Sequence, residues 1–231
     1  MFIEAKKVRV AASAGIAAPI VLAIVEHQGR PGLLYERVDG PTMLEHMLTK
    51  PWRAFSYARL LARLLARVHS KHVRELISFN RRLQMAIQHN EDLPPDIKAA
   101  ALSLLASLPS GDSLCHGDFH PDNIILAKQQ PIIIDWLDAS QGPPLADVAR
   151  TLMLFTIPPL SMHPIKKLLI SWLRAGTLKV FLDEYFSLLP EGKDQLDDWL
   201  SVVLAARLAE KIPEERGVIL AQLDQRFKGI I

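Results

Sequence analysis

Residues 115–135 read CHGDFHPDNIILAKQQPIIID. Two apolar runs, residues 124–126 and 131–134, flank the polar tip Lys128-Gln129-Gln130, a pattern that predicts a tight antiparallel hairpin. Asn123 stands at its entry and Asp135 at its exit, so the turn brings them side by side on strands roughly 4.8 Å apart, close enough to share one ion. Their oxygen donors suit magnesium rather than zinc. Asp118 lies five residues before Asn123 on the preceding loop, facing the same end. A carboxylate there can orient a hydroxyl and take its proton. An aspartate, then an asparagine, then a strand-borne aspartate is the order that phosphoryl transfer from a nucleotide requires.

Blander readings stand beside this one. Asp-x4-Asn arises by chance, and each of its residues can cap a turn. His116 and His120 have a zinc-like spacing, but Gly117 and Pro121 break any helix across them and no third soft ligand is obvious. His116 is read as holding the loop by hydrogen bonding and His120 as lining or supporting it. Asp122 and Asp138 are read as surface or capping carboxylates.

Outward from the loop, composition sets limits. The 231 residues are 49% hydrophobic and 23% charged, enough for one large domain or two small ones with a real core. A net charge of +2 makes neither nucleic acid nor an anionic membrane a default partner. Cys115 is the only cysteine, so no intrachain disulfide forms and a reducing compartment fits; it is expected to be buried. The uncharged stretch 10–25 is shorter than the roughly 20 residues of a membrane span and is divided by Gly15 and Pro19. It reads as the core of a cytoplasmic protein.

A helix is predicted over 2–14, closed by Gly15. Strands follow at 19–26 and 33–38 around the turn HQGRPG. Thr42 caps a short helix to about Leu48. In the helix over 52–69, Leu60, Leu61, Leu64, Leu65 and Val68 form an apolar face, and Arg59, Arg63 and Arg67 a stripe expected to be solvated. Helices are expected over 72–90 and 95–108, then helices from Pro144 onward, with breaks near Ile157-Pro158-Pro159, Pro164, 190–192 and Pro213. Strands and helices are segregated, so the class is α+β.

CHGDFHPDNIIL, IIIDWLDAS and GPPLADVART together resemble the aminoglycoside phosphotransferase and choline kinase-like family, whose loop signature is His-Gly-Asp-x4-Asn. The resemblance implies a protein-kinase-like fold, with a small N-lobe (1–40), a mostly helical C-lobe (41–231) and ATP between them. It makes Asp118 the catalytic base, Asn123 and Asp135 the Mg2+ ligands, His116 a structural histidine and Asp147 the anchor of the loop. GLLYERVDGPTM is similar to the last N-lobe strand and hinge, placing Tyr35 at the back of the nucleotide pocket and the backbone of Glu36 and Val38 against adenine. Glu4 matches the helix glutamate that pairs with a strand lysine. Only three residues precede Glu4, so the glycine-rich hairpin and that lysine are expected to be missing, with Lys6 and Lys7 facing solvent. A truncated N-lobe would expose a strand edge and permit self-association. The implied activity is phosphotransfer from ATP to a hydroxyl of a small molecule, aminoglycoside-, choline- or sugar-like. The alternative is a catalytically impaired, pseudokinase-like binding module or a truncated gene product. Asp183, Glu184, Asp194, Asp197 and Asp198 are either an acidic wall for a cationic acceptor or solvated helix faces. Trp199 and the Arg207/Glu210 pair are expected to pack and pair.

Overall fold

The computed structural model describes residues 2–156 and 164–227. The expected break at Ile157-Pro158-Pro159 lies outside them. Helix α1 (Phe2–Ser13) ends where Gly15 takes φ +79°, letting the amides of Gly15 and Ile16 bond back to Ala12 and Ala11 at 2.9 and 3.1 Å. Ala5, Val8 and Ala11 form its buried face. Lys7 shares that face, contrary to the expectation of solvent, because its ammonium reaches the Leu137 carbonyl at 2.5 Å.

Strands β1 (Val21–His27) and β2 (Arg30–Tyr35) form an antiparallel pair. The turn is only Gln28-Gly29, so β2 starts earlier and stops earlier than predicted. Pro31 is tolerated inside β2 because His27 and Arg30 close the two-residue turn as a bonded pair. The next pair, Glu26 and Pro31, therefore needs no ladder N–H.

Helix α2 (Met43–Thr49) starts with a reciprocal capping box: Glu45 N–H donates to Thr42 Oγ1 at 3.1 Å, and Thr42 N–H to Glu45 Oε2 at 2.9 Å. In α3 (Ala54–His69), Leu61, Leu65 and Val68 are buried, each worth roughly 1.5–3 kcal/mol relative to exposure. The arginine stripe is exposed, and two of its three members are engaged. Arg63 pairs with Glu184 at 2.6 Å, and Arg67 donates to the Gly15 carbonyl at 3.1 Å. Those bonds join α3 to α7 (Pro164–Leu188) and to the end of α1.

The helix expected over 72–90 begins only at Phe79. Residues 71–78 lie along the neighbouring strands instead, with Leu114 N–H donating to Lys71 O, Val73 N–H to Asp112 O and Gln141 N–H to Ile77 O (2.6, 2.9 and 3.0 Å). Ser78 then caps α4 (Phe79–Gln88), which packs on α5 (Pro95–Ser107). Strand β3 (Ser113–Cys115) pairs with β6 (Ser140–Gly142), and β4 (Ile124–Leu126) with β5 (Pro131–Ile133), all antiparallel. Helices α6 (Pro144–Thr156), α8 (Leu196–Arg207) and α9 (Pro213–Phe227) complete the described chain. Trp136, Tyr185 and Trp199 are fully buried, as is Cys115. The architecture is α+β, with short antiparallel sheets on a helical body. No described helix is long and apolar enough to cross a membrane.

Candidate functional site

Strand β3 delivers the chain to His116-Gly117-Asp118. Gly117 has φ +83°, and a Cβ there would lie 2.5 Å from the Asp138 carbonyl oxygen, so the loop passes only with glycine. His116 is fully buried. Its Nε2 donates to the Ile134 carbonyl at 3.0 Å and its Nδ1 accepts Asp118 N–H at 3.3 Å. Burial lowers the pKa of the ring and keeps it neutral, as this pairing needs.

Asp147, fully buried on α6, accepts the amides of His116 at 2.6 Å and Gly117 at 2.8 Å. It also faces His69 Nε2 at 3.1 Å, and His69 Nδ1 faces the Tyr185 hydroxyl at 2.6 Å. Burial disfavours the Asp147 charge, but the His69 hydrogen bond and the loop amides outweigh it and hold the carboxyl below its ordinary range. His69, Cys115 and Asp147 bring nitrogen, sulfur and oxygen within 4.8 Å of one another. Both ring nitrogens and both carboxylate oxygens are already committed, so this cluster is a brace.

Asp118, Asn123 and His120 converge in front of this brace. Asn123 Nδ2 donates to the Asp118 carbonyl at 2.9 Å and lies 3.4 Å from its Oδ2; His120 Nε2 is 3.1 Å from Asn123 Nδ2 and 3.4 Å from Asp118 Oδ2. Burial would raise the Asp118 pKa, but His120, Arg150 and His116 more than offset it, leaving the carboxyl below the usual value. The hairpin register pairs Ile124 with Ile133, and Ile134 N–H bonds to Asn123 O at 3.0 Å. Asp135 is therefore one residue beyond the partner of Asn123. It turns there in the left-handed region (φ 59°, ψ 65°), a sparsely populated conformation that concentrates at functional sites, and its side chain is exposed.

A second set of charges surrounds the loop. Arg150 Nε donates to the Gly117 carbonyl at 3.0 Å, and its Nη1 pairs with Glu210 at 2.6 Å. Glu210 also bonds Arg207, whose guanidinium forks onto Glu215 at 2.7 and 2.9 Å. Arg82 on α4 holds Asp138 through its carbonyl and, at 2.5 Å, its Oδ1, so Asp138 is an ion-pair partner and not a surface cap. Burial beside Arg82 lowers the Lys7 pKa. Arg150 had a local signal, three residues after Asp147 on the same helix face; Lys7, Arg82 and His69 had none.

In the N-terminal part of the chain, Tyr35 Oη donates to Glu4 Oε1 at 2.9 Å, and burial together with that carboxylate pushes the phenol pKa up. Glu36 spends its N–H on Ile20 O and its Oε1 on Ile20 N–H, both at 2.9 Å. Among the described residues, the Glu36 carbonyl and the Val38 N–H have no partner. Of the acids considered as an acceptor wall, Asp183, Glu184 and Asp197 pair with Lys179, Arg63 and Arg226, each at 2.6 Å. Asp194 and Asp198 are exposed in first helical turns.

Residues 3–180 match the model of the phosphotransferase enzyme family. No curated protein matches the chain in sequence. Among solved structures, the chain is similar to an aminoglycoside-3'-phosphotransferase of type VIII (20% identity, 89% of this chain and 79% of that one, TM-score 0.63). It is also similar to a thermostable mutant of the aminoglycoside phosphotransferase APH(4)-Ia in ternary complex with ADP and hygromycin B (17%, 99% and 82%, 0.65). A third is choline kinase LicA from Streptococcus pneumoniae (16%, 97% and 79%, 0.61). At these identities the likeness is one of fold, which is protein-kinase-like.

Proposed function

The chain belongs to the phosphotransferase enzyme family, and from this we propose that it moves the γ-phosphoryl group of ATP to a hydroxyl of a small molecule. The observation that carries the reading is the convergence of Asp118 and Asn123 on a loop whose two preceding amides are clamped by buried Asp147. Asp118, kept ionised, orients the acceptor hydroxyl and takes its proton as the bond to phosphorus forms. His116 and Asp147 hold the loop in place for it.

The donor set fits Mg2+. Asn123 turns its amide nitrogen to Asp118 and His120, which leaves the amide oxygen free, and Asp135 offers an exposed carboxylate. When bound, Mg2+ supplies charge neutralisation at the phosphate oxygens. For the nucleotide, the Glu36 carbonyl suits the adenine amino group, the Val38 N–H a ring nitrogen, and Tyr35, fixed by Glu4 Oε1, the back wall. Glu4 Oε2 is the atom that a strand lysine would meet. Support comes from neighbours solved with ADP and with hygromycin B.

The same reading divides the chain near Gly40-Pro41, where it passes from β2 to α2, and places it in the cytoplasm, where ATP is available. It includes self-association through the exposed β1–β2 hairpin.

The test is transfer of phosphate from Mg-ATP to a panel of hydroxyl compounds, followed by mass spectrometry. Asp118→Asn should cut turnover by about 10²–10⁴-fold. Equal turnover in wild type and Asp118→Asn, or none in either, would sink the reading.

A further inference from the structure

A pocket that takes a polyamine needs carboxylates with charge to spare beside the catalytic aspartate, and one that takes a quaternary ammonium compound needs these or a cage of aromatic faces. All 25 Asp and Glu residues of this chain lie among the described residues, since 157–163 and 228–231 contain none. The supply of negative charge around Asp118 can therefore be followed completely. Asp138 is held by Arg82 at 2.5 Å, with Arg150 at 3.9 Å. Glu210 bridges Arg150 and Arg207, and Glu215 is forked by Arg207. Asp122 is exposed between buried Pro121 and Asn123, so it points out while they point in. Asp135 and Asp118 are committed to the reaction itself.

These ion pairs wall a cavity of about 350 Å³ that opens against Gly117, one residue from Asp118. Arg82, Asp138, Arg150 and Glu210 give it polar walls of zero net charge, and Phe79 and Leu83 an apolar one; Phe79 is the one aromatic among its described lining residues, too few for a cage around a quaternary ammonium. Its size is at the small end of the roughly 300–1,000 Å³ of ligand pockets, room for one ring rather than three. A hydroxyl, which both donates and accepts, matches walls that alternate guanidinium and carboxylate. A cation would have to displace an arginine from a carboxylate it already holds, leaving a half-buried charge unpaired.

Resting on the phosphotransferase reading, we propose that this cavity is the acceptor pocket and that it takes a small uncharged polyhydroxyl compound in preference to a polyamine or quaternary ammonium compound. The acceptor oxygen bonds to the γ-phosphorus as the bond from that phosphorus to the departing ADP oxygen breaks. The hydroxyl proton passes to Asp118.

Two measurements on the full chain decide it. With Mg-ATP, ADP release is followed with glycerol, ribose, glucose and inositol against choline and kanamycin. The expected result is a kcat/KM for at least one neutral compound about 100-fold above both cations. Higher efficiency with choline or kanamycin than with every neutral compound overturns the proposal while leaving the phosphotransferase reading intact. Independently of turnover, calorimetry measures choline binding to wild type and to Arg82→Gln, which removes the closer of the two arginines beside Asp138 and leaves the cavity walls net negative. Wild type should bind choline about tenfold more weakly than the variant. Binding by wild type as tight as by the variant, or tighter, overturns the proposal even if no acceptor is turned over.

Discussion

The two apolar hairpins β4–β5 and β1–β2 read alike in sequence and meet opposite environments. In β4–β5, Ile124 and Ile133 are buried and both outer edges are covered: Leu126 N–H bonds to Pro41 O at 2.9 Å and Ile133 N–H to Ala17 O at 2.8 Å. In β1–β2, no further strand covers the pair among the described residues, and Leu22 and Leu34 stay 58 and 49% exposed. A two-stranded sheet is marginal alone, so β1–β2 depends on what it touches, whereas β4–β5 is fixed by the body of the protein. The hairpin with covered edges is the one that carries Asn123 and Asp135. The two residues proposed above to hold Mg2+ are thus mounted on the hairpin whose edges the rest of the fold covers.

That contrast breaks most sharply at the brace behind the loop. Asp147→Ala leaves two loop amides and His69 without their shared acceptor and should destabilise the fold by about 3–5 kcal/mol, read as a lower denaturant midpoint. A loss below 1 kcal/mol would mean the loop is not held this way. Acid probes the same region. The folded pKa values of His116 and Asp147 are both lowered, so the unfolded chain binds protons that the folded one refuses. Their contribution to stability is complete above the unfolded values and is lost as pH falls, beginning below about 6.5 for His116 and about 3.9 for Asp147. Denaturant midpoints measured from pH 8 to pH 4 should fall, and a flat profile would contradict the buried neutral imidazole. The smallest effect belongs to β1–β2. Leu22→Thr on its exposed face should change stability by no more than about 0.5 kcal/mol yet reduce concentration-dependent association in sedimentation. Unchanged association would remove the hairpin as a contact surface.

The sequence by itself determined the elements whose causes are local. Two continuous apolar runs around a polar tip specify β4–β5, a glycine past the last apolar turn ends α1, and the spacing of Asp118, Asn123 and Asp135 places all three at one end of one hairpin. It could not locate the groups that hold this end rigid. Lys7 meets Leu137 across 130 residues, His69 meets Asp147 across 78, and Arg82 meets Asp138 across 56. Residues 71–78 give up a plausible helix for backbone bonds to strands far along the chain. Only the tertiary structure decided these, because a charge removed from water keeps its ionisation through whichever partner the fold brings to it, and nothing in its own stretch of chain names that partner.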